Sequence, residues 1–306
     1  KDGKTGKAVA AVSAKRVSVP SLTLNDYNNW SKQVEKGFLL AAKYLRKECF
    51  FHARDLPYRT QLVPLATILS ALNERWLEPK IYEKLSQWYW CGVLGELYGG
   101  AVETRIANDL LEMLDWIEKD GSDTPRTILE AVFQPGRLHT LSSRLSAAYK
   151  GLNTLVLREG AKDFFWKATI QELDQQEIAL DIHHIFPKAW CEERNIKPAV
   201  FNAIINKTPI SYKANRMIGR KAPSDYLQAI QNHKQVGIGD SQMDAILSSH
   251  RIDTTAMRSD DFDQFYQQRK SSLLDIIELA MGKKVDRGAD AEEYDDTDLA
   301  EEMDQV

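Results

Sequence analysis

The chain is poor in cysteine. Of its 306 residues only Cys49, Cys91 and Cys191 are cysteines, far apart, odd in number and with no CxxC spacing. A disulfide framework is therefore not expected, and a reducing cytoplasm suits the chain. Long apolar runs are also missing. None approaches the roughly 20 residues that a helix needs to cross a bilayer, so no membrane partner is expected. Residues 1–15 are small, basic and polar, without the apolar core of a signal peptide. No internal repeat period is visible. What remains, 43% apolar and 27% charged residues, is the composition of a soluble globular protein of one large domain or two modest ones.

Acidic residues are missing from one stretch and basic ones are scarce in another. Residues 206–221 hold Lys207, Lys213, Arg216, Arg220 and Lys221 and no acid. Residues 286–306 hold ten Asp or Glu against the single Arg287. The overall net charge of −4 conceals this split, because without the tail 39 basic residues face 34 acidic ones. A mildly basic body with an acidic tail suits a partner rich in phosphate.

Apolar spacing predicts a mostly α protein. Val34, Phe38, Ala41, Ala42 and Leu45 share a helix face, and further helices are expected over 62–77, 80–98, 102–119, 125–133 and 138–149. Trp88 and Trp90 read as core. Around 178–186 the pattern shortens and alternates until Pro187, as a strand does. Residues 207–212 suit a second, edge strand, because Pro209 cannot donate to a ladder. A short helix over 214–219, a helix starting at Pro223 and a final amphipathic helix over 261–281 follow. The division expected is 1–20 a flexible linker or the cut end of a longer chain, 21–175 a helical domain, 176–282 a small α+β insert with C-terminal helices, and 283–306 an acidic disordered tail.

The chemistry concentrates in Asp181-Ile182-His183-His184-Ile185-Phe186-Pro187, followed by Asn206-Lys207-Thr208-Pro209-Ile210-Ser211 and Asn215-Arg216-Met217-Ile218-Gly219. Phosphodiester hydrolysis needs an activated water, charge stabilisation and help for the leaving oxygen. A histidine, with its ordinary pKa of about 6.5, is a suitable base. Taken singly, a His pair on a strand is one core and one surface residue, and the asparagines are turn residues. In this order they resemble the C-terminal HNH nuclease half of the GmrSD-type restriction endonucleases, the SspE-like, modification-dependent antiphage family. The resemblance is specific through these strings and Ala222-Pro223-Ser224-Asp225-Tyr226-Leu227. It is weaker over 21–282, through Leu56-Pro57-Tyr58 and Tyr149-Lys150-Gly151-Leu152.

The resemblance implies a helical body carrying a ββα-metal (HNH) nuclease module. It implies His184 as general base, His183 and Asn215 as metal ligands, and Asn206 as the residue that ties the loop and aims the base. It implies one divalent ion, Mg²⁺ or Mn²⁺, and a DNA substrate cleaved or nicked by a bacterial restriction effector. The family's N-terminal NTPase-like domain, with its Asp-Gly-Gln-Gln-Arg signature, is absent from this sequence. That domain is therefore an expected partner within a longer protein, where it would hold the regulation. The 22 residues from His184 to Asn206 exceed the spacing of minimal modules, and the insert from Lys188 to Ile205 is expected to loop out. The basic run 206–221 is expected to meet the DNA backbone. His52, His139, His233 and His250 read as structural, and Cys191 has no partner pattern for a Cys-His protease. Arg59, Arg105 and Arg144 either brace helices or touch DNA. A non-catalytic DNA-binding or assembly module, and an RNase using the same chemistry, are the alternatives.

Overall fold

Helix-period patterning fills most of the chain, and helices make most of its structure. The structure, a computed structural model, describes residues 12–288. Residues 1–11 and most of the acidic tail lie outside that range. Arg16–Ser21 form a 3₁₀ turn that buries nothing. Two compact units follow: one from residues up to Leu45 together with Tyr58–Ala131, the other from Arg46–Pro57 together with residues from Val132 onward.

The first unit holds α1 (Leu24–Lys47, through Leu45), α2 (Leu62–Leu72), α3 (Pro79–Leu94), α4 (Glu103–Glu118) and α5 (Arg126–Glu130). Thr23 and Asp26 cap α1 reciprocally: the Thr23 hydroxyl accepts from the Asp26 N–H at 3.1 Å, and Asp26 accepts from the Thr23 N–H at 2.9 Å. The buried stripe of α1 differs from the expected one. It runs through Gly37, Leu40, Ala41, Tyr44 and Leu45, while Val34, Phe38 and Ala42 face solvent. The reason is close packing: a Cβ on Gly37 would collide with the Ala66 carbonyl oxygen of α2. Two turns on, the Tyr44 ring meets Trp76 and Tyr89 at 6.0 and 5.9 Å. Trp88 and Trp90 are core residues. Arg105 braces α4 against Thr127 and Glu130.

The second unit holds α6 (Arg137–Thr140), α7 (Ala147–Arg158), β1 (Asp181–His184), α8 (Lys188–Glu193), α9 (Pro198–Asn202) and β2 (Lys207–Ile210). It continues with α10 (Tyr212–Ile218), α11 (Pro223–Gln231), α12 (Asp240–Ser249), α13 (Thr254–Arg258) and α14 (Phe262–Met281). The helix expected over 138–149 is two helices, since Ser146 ends the break by accepting from the Tyr149 N–H and starting α7. The unit's boundary falls after Ala131 rather than at 175. α7, buried along nearly its whole length, packs on both β2 and α14 and so belongs with the strands. Residues 46–57 join it through the buried Glu48, paired with Arg158 at 3.0 Å, and through Lys150, which donates to the Arg54 and Leu56 carbonyls at 2.7 and 3.4 Å.

β1 and β2 pair antiparallel, with His183 opposite Thr208 and His184 opposite Lys207. The hairpin is braced from behind by a chain of buried polar groups. The Lys162 carbonyl can only accept, so His250 Nε2 carries the hydrogen at 2.7 Å. His250 Nδ1 then accepts from the Thr208 hydroxyl, also at 2.7 Å. Burial lowers the His250 pKa to about 3, keeping the ring neutral. The buried Arg269 of α14 donates to the His250 carbonyl and, at 2.9 Å, to the Lys207 carbonyl. The acidic tail was expected to begin at 283, but through Gly288 the chain is described and held. Arg287 pairs with Asp275 at 2.7 Å and Glu278 at 3.2 Å, and Lys284 pairs with Glu278 at 2.9 Å. The remaining tail residues lie outside the described range.

Candidate active site

A cleft of about 470 Å³ opens beside the hairpin. Its walls are His183, His184, Pro187, Lys188, Ala189, Glu192, Asn215, Ile218, Gly219 and Arg220. Both histidines reach it, although successive strand residues alternate faces in a regular strand. β1 ends at His184, and Pro187, which lacks a backbone N–H, turns the chain into α8.

Asn206 holds this turn together. It is fully buried. Its side-chain oxygen accepts from the Phe186 N–H at 2.8 Å, and its amide nitrogen donates to the Phe186 and Phe201 carbonyls, both at 3.0 Å. The Asn206 carbonyl accepts from the Ile185 N–H at 2.9 Å, and the buried Tyr226 hydroxyl donates to the Ile185 carbonyl at 3.0 Å. The backbone directly after His184 is thereby tied on both sides.

His184 Nε2 lies 3.0 Å from the side-chain oxygen of Asn202, the last residue of α9, and its ring meets Phe201 edge-on. Burial lowers the pKa of both histidines. At His184 the Asn202 hydrogen bond opposes this, while Lys207, His183 and Lys188 add to it. At His183 Asp181 opposes it and Arg144 adds to it. His183 Nε2 is buried with no hydrogen-bond partner. A buried imidazole nitrogen left without a partner carries a desolvation cost that a bound cation would relieve.

Asn215 reaches the cleft from the second turn of α10, whose start is fixed by two carboxylate contacts. Buried Asp163 accepts from the Ser211 N–H at 2.7 Å and from its hydroxyl at 3.0 Å, and the Ser211 oxygen accepts from the Ala214 N–H as N-cap. Asp163 also accepts from the Phe165 and Trp166 N–H groups, at 2.9 Å each.

No cluster of three His, Cys, Asp or Glu suited to a metal occurs among the described residues. The donors that fit a divalent ion are the His183 ring nitrogen and the Asn215 amide oxygen. Such a set leaves most of the coordination to water and phosphate, as oxygen-preferring ions accept. Asp181 is not among the residues that line the cleft. It pairs with Arg144 at 2.5 Å and accepts from the Ile182 N–H at 2.8 Å, while Arg144 also donates to the Ile182 carbonyl at 3.1 Å.

The basic run is not gathered at the cleft. Arg220 lines it, Arg216 and Lys221 are exposed, and Lys213 donates to Gln235 at 2.8 Å across the Phe165 and Trp166 rings. Lys207 is half-buried, 3.4 Å from the Ser142 carbonyl and over the Tyr149 ring, and burial lowers its pKa.

The insert 188–205 does not merely loop out. It folds into α8 and α9 and supplies Lys188 and Glu192, 3.6 Å apart, to the cleft wall, and Asn202 to His184. Lys188 and Glu192 were legible as an i,i+4 pair directly after Pro187; nothing in the sequence marked Asn202. All three cysteines are buried, and burial pushes the Cys191 thiol up to about 12, far from a reactive thiolate.

No protein-family model matches the chain. It is similar to an uncharacterized protein of Methanocaldococcus jannaschii, 24% identical over an alignment of 301 positions that covers 89% of this chain and 50% of that protein. The chain thus spans about half the length of the curated relative it matches. Among the described residues no helix is long and apolar enough to cross a membrane.

Proposed function

We propose that β1, β2 and α10 form a ββα-metal (HNH) module and that the chain is a metal-dependent endonuclease cleaving or nicking DNA. One observation carries this reading. An antiparallel hairpin followed at once by a helix brings His183, His184 and Asn215 to one cleft, with Asn206 tying the backbone that carries the histidines. In this reading the lowered pKa leaves His184 neutral and able to accept a proton from water at pH 7. His183 and Asn215 would hold one Mg²⁺ or Mn²⁺ ion. When bound, the ion supplies charge stabilisation on the phosphate and the leaving oxygen. Arg220, exposed at the cleft, and Lys188, which pairs there with Glu192, offer cations to the phosphates beside the cleft.

The place of this activity in a longer restriction protein, with an NTPase-like half and a DNA modification as its trigger, rests on the family resemblance. The test is supercoiled plasmid with Mg²⁺ or Mn²⁺, comparing wild type with His184→Ala, and a structured RNA in parallel. Relaxed or linear DNA from wild type only, with a loss of about 10²–10⁴-fold in the variant, is the expected result. Cleavage of RNA alone would favour the ribonuclease alternative, and equal cutting by a folded His184→Ala protein would falsify the assignment.

A further inference from the structure

We propose that Asn202 is a positioning residue that fixes the tautomer of His184, placing the hydrogen on Nε2 and leaving Nδ1 as the nitrogen that accepts a proton. The role in catalysis rests on the nuclease reading; the tautomer does not.

A side-chain amide oxygen accepts hydrogen bonds and cannot donate them. At 3.0 Å from the Asn202 oxygen, His184 Nε2 must therefore be the donor. A neutral imidazole carries one N–H, so Nδ1 keeps its lone pair. No protein hydrogen bond engages Nδ1 among the described residues. The ring is held on a second side by the edge-on contact with Phe201, its centroid 6.2 Å away.

The support behind Asn202 is itself fixed. Asn206 donates to the Phe201 carbonyl at 3.0 Å, one residue before Asn202, and the Ile204 N–H donates to the Leu141 carbonyl at 2.8 Å, two residues after it. The two asparagines thus divide the task of aiming the base. Asn206 fixes the backbone after His184 and the end of α9, while Asn202, at that end, fixes the ring. Without Asn202 the Nε2 hydrogen has no acceptor, and the ring can turn and exchange tautomers.

The test uses the full chain labelled with ¹⁵N. Long-range ¹H–¹⁵N correlations of the imidazoles are recorded above the pH of their titration, and His184 is assigned by its absence from the His184→Gln spectrum. The Nε2–H pattern is expected in wild type and in Asn202→Asp, and a mixture of tautomers in Asn202→Ala. A wild-type Nδ1–H pattern overturns the proposal, whether or not the protein cuts DNA.

Plasmid-cleavage rates against pH form the second readout. Asn202→Ala should lose about 10- to 100-fold in rate, the usual cost of removing an orienting partner. Asn202→Asp keeps an acceptor, so it should recover much of that rate. Its carboxylate stabilises the imidazolium, so the acidic limb of its profile should move up by about 1 pH unit or more. If wild type cuts and both variants keep its rate and profile, the positioning role is overturned. If wild type shows the Nε2–H tautomer but cuts no nucleic acid, the nuclease reading fails while the tautomer assignment stands.

Discussion

Single residues in this chain carry unusually clear hydrogen-bond duties, and two of them yield sharp expectations. Asn206 satisfies two backbone groups of the turn after His184 and a third, the Phe201 carbonyl, in α9. Asn206→Ala should cost about 2–4 kcal/mol, because buried donors and acceptors are left unmade, and should lower activity through disorder rather than metal affinity. A denaturant melt beside a metal titration checks this; a variant that melts like wild type yet needs more metal would show that Asn206, not Asn215, serves the ion. His250 makes a prediction in pH. Its folded pKa is depressed to about 3 against an ordinary 6.5, so below pH 6.5 the unfolded chain binds more protons than the folded one. The stabilisation is complete above pH 6.5 and is lost progressively as pH falls toward 3. Melting temperatures from pH 7 to pH 4.5 should fall more steeply in wild type than in His250→Gln, which has nothing to protonate there. Parallel curves would place the acid sensitivity elsewhere.

Among the elements, α10 and α1 depend most on contacts outside their own sequence. α10 is short, seven residues from Tyr212 to Ile218, and below the length at which a helix holds itself in water. Asp163 clamps its start through Ser211. Asp163→Ala should therefore destabilise by about 2–4 kcal/mol and reduce cleavage through Asn215, although Asp163 does not line the cleft. A plasmid assay with excess metal distinguishes the two effects: partial rescue by metal is expected, and activity unaltered by the substitution would show that α10 needs no clamp. For α1, Gly37→Ala drives a methyl group into the backbone of α2. A loss of about 1–3 kcal/mol is expected, read by urea unfolding followed through the tryptophan fluorescence of that unit.

For the whole molecule, the proposed nuclease reading makes charge the property that governs the approach to DNA. Removing residues 286–306 leaves a net charge of +5, so deletion of the tail should tighten non-specific DNA binding and reveal a steeper salt dependence. Deleting only 289–306 preserves the ion pairs that hold Arg287 to Asp275 and Glu278. Replacing Arg216, Arg220 and Lys221 with Gln should reduce the salt slope by about 2–3 units, roughly one for each phosphate left without its cation. The same change at Lys207 and Lys213 should reduce it less, since Ser142 and Gln235 already engage their ammonium groups. Titration of a fluorescent duplex between low and moderate salt measures each slope; equal contributions from all five would move the DNA path off the face described.

The sequence by itself determined the helical character of the chain, the two strands around Pro187 and Pro209, the helix starting at Pro223 and the order of the His and Asn residues. Each of these is a local signal: a period, a proline, a spacing. Tertiary structure alone decided the rest. Which stripe of α1 is buried depends on how closely Gly37 approaches α2, and no periodicity in α1 records that distance. The boundary at Ala131 rather than 175 follows from α7 packing on β2 and α14, which lie far ahead of it in sequence. The roles of Asn202 and Asp163 were illegible for the same reason. Asn202 meets His184 18 residues away and Asp163 meets Ser211 48 residues away, and a hydrogen bond between distant residues leaves no pattern in the residues that make it.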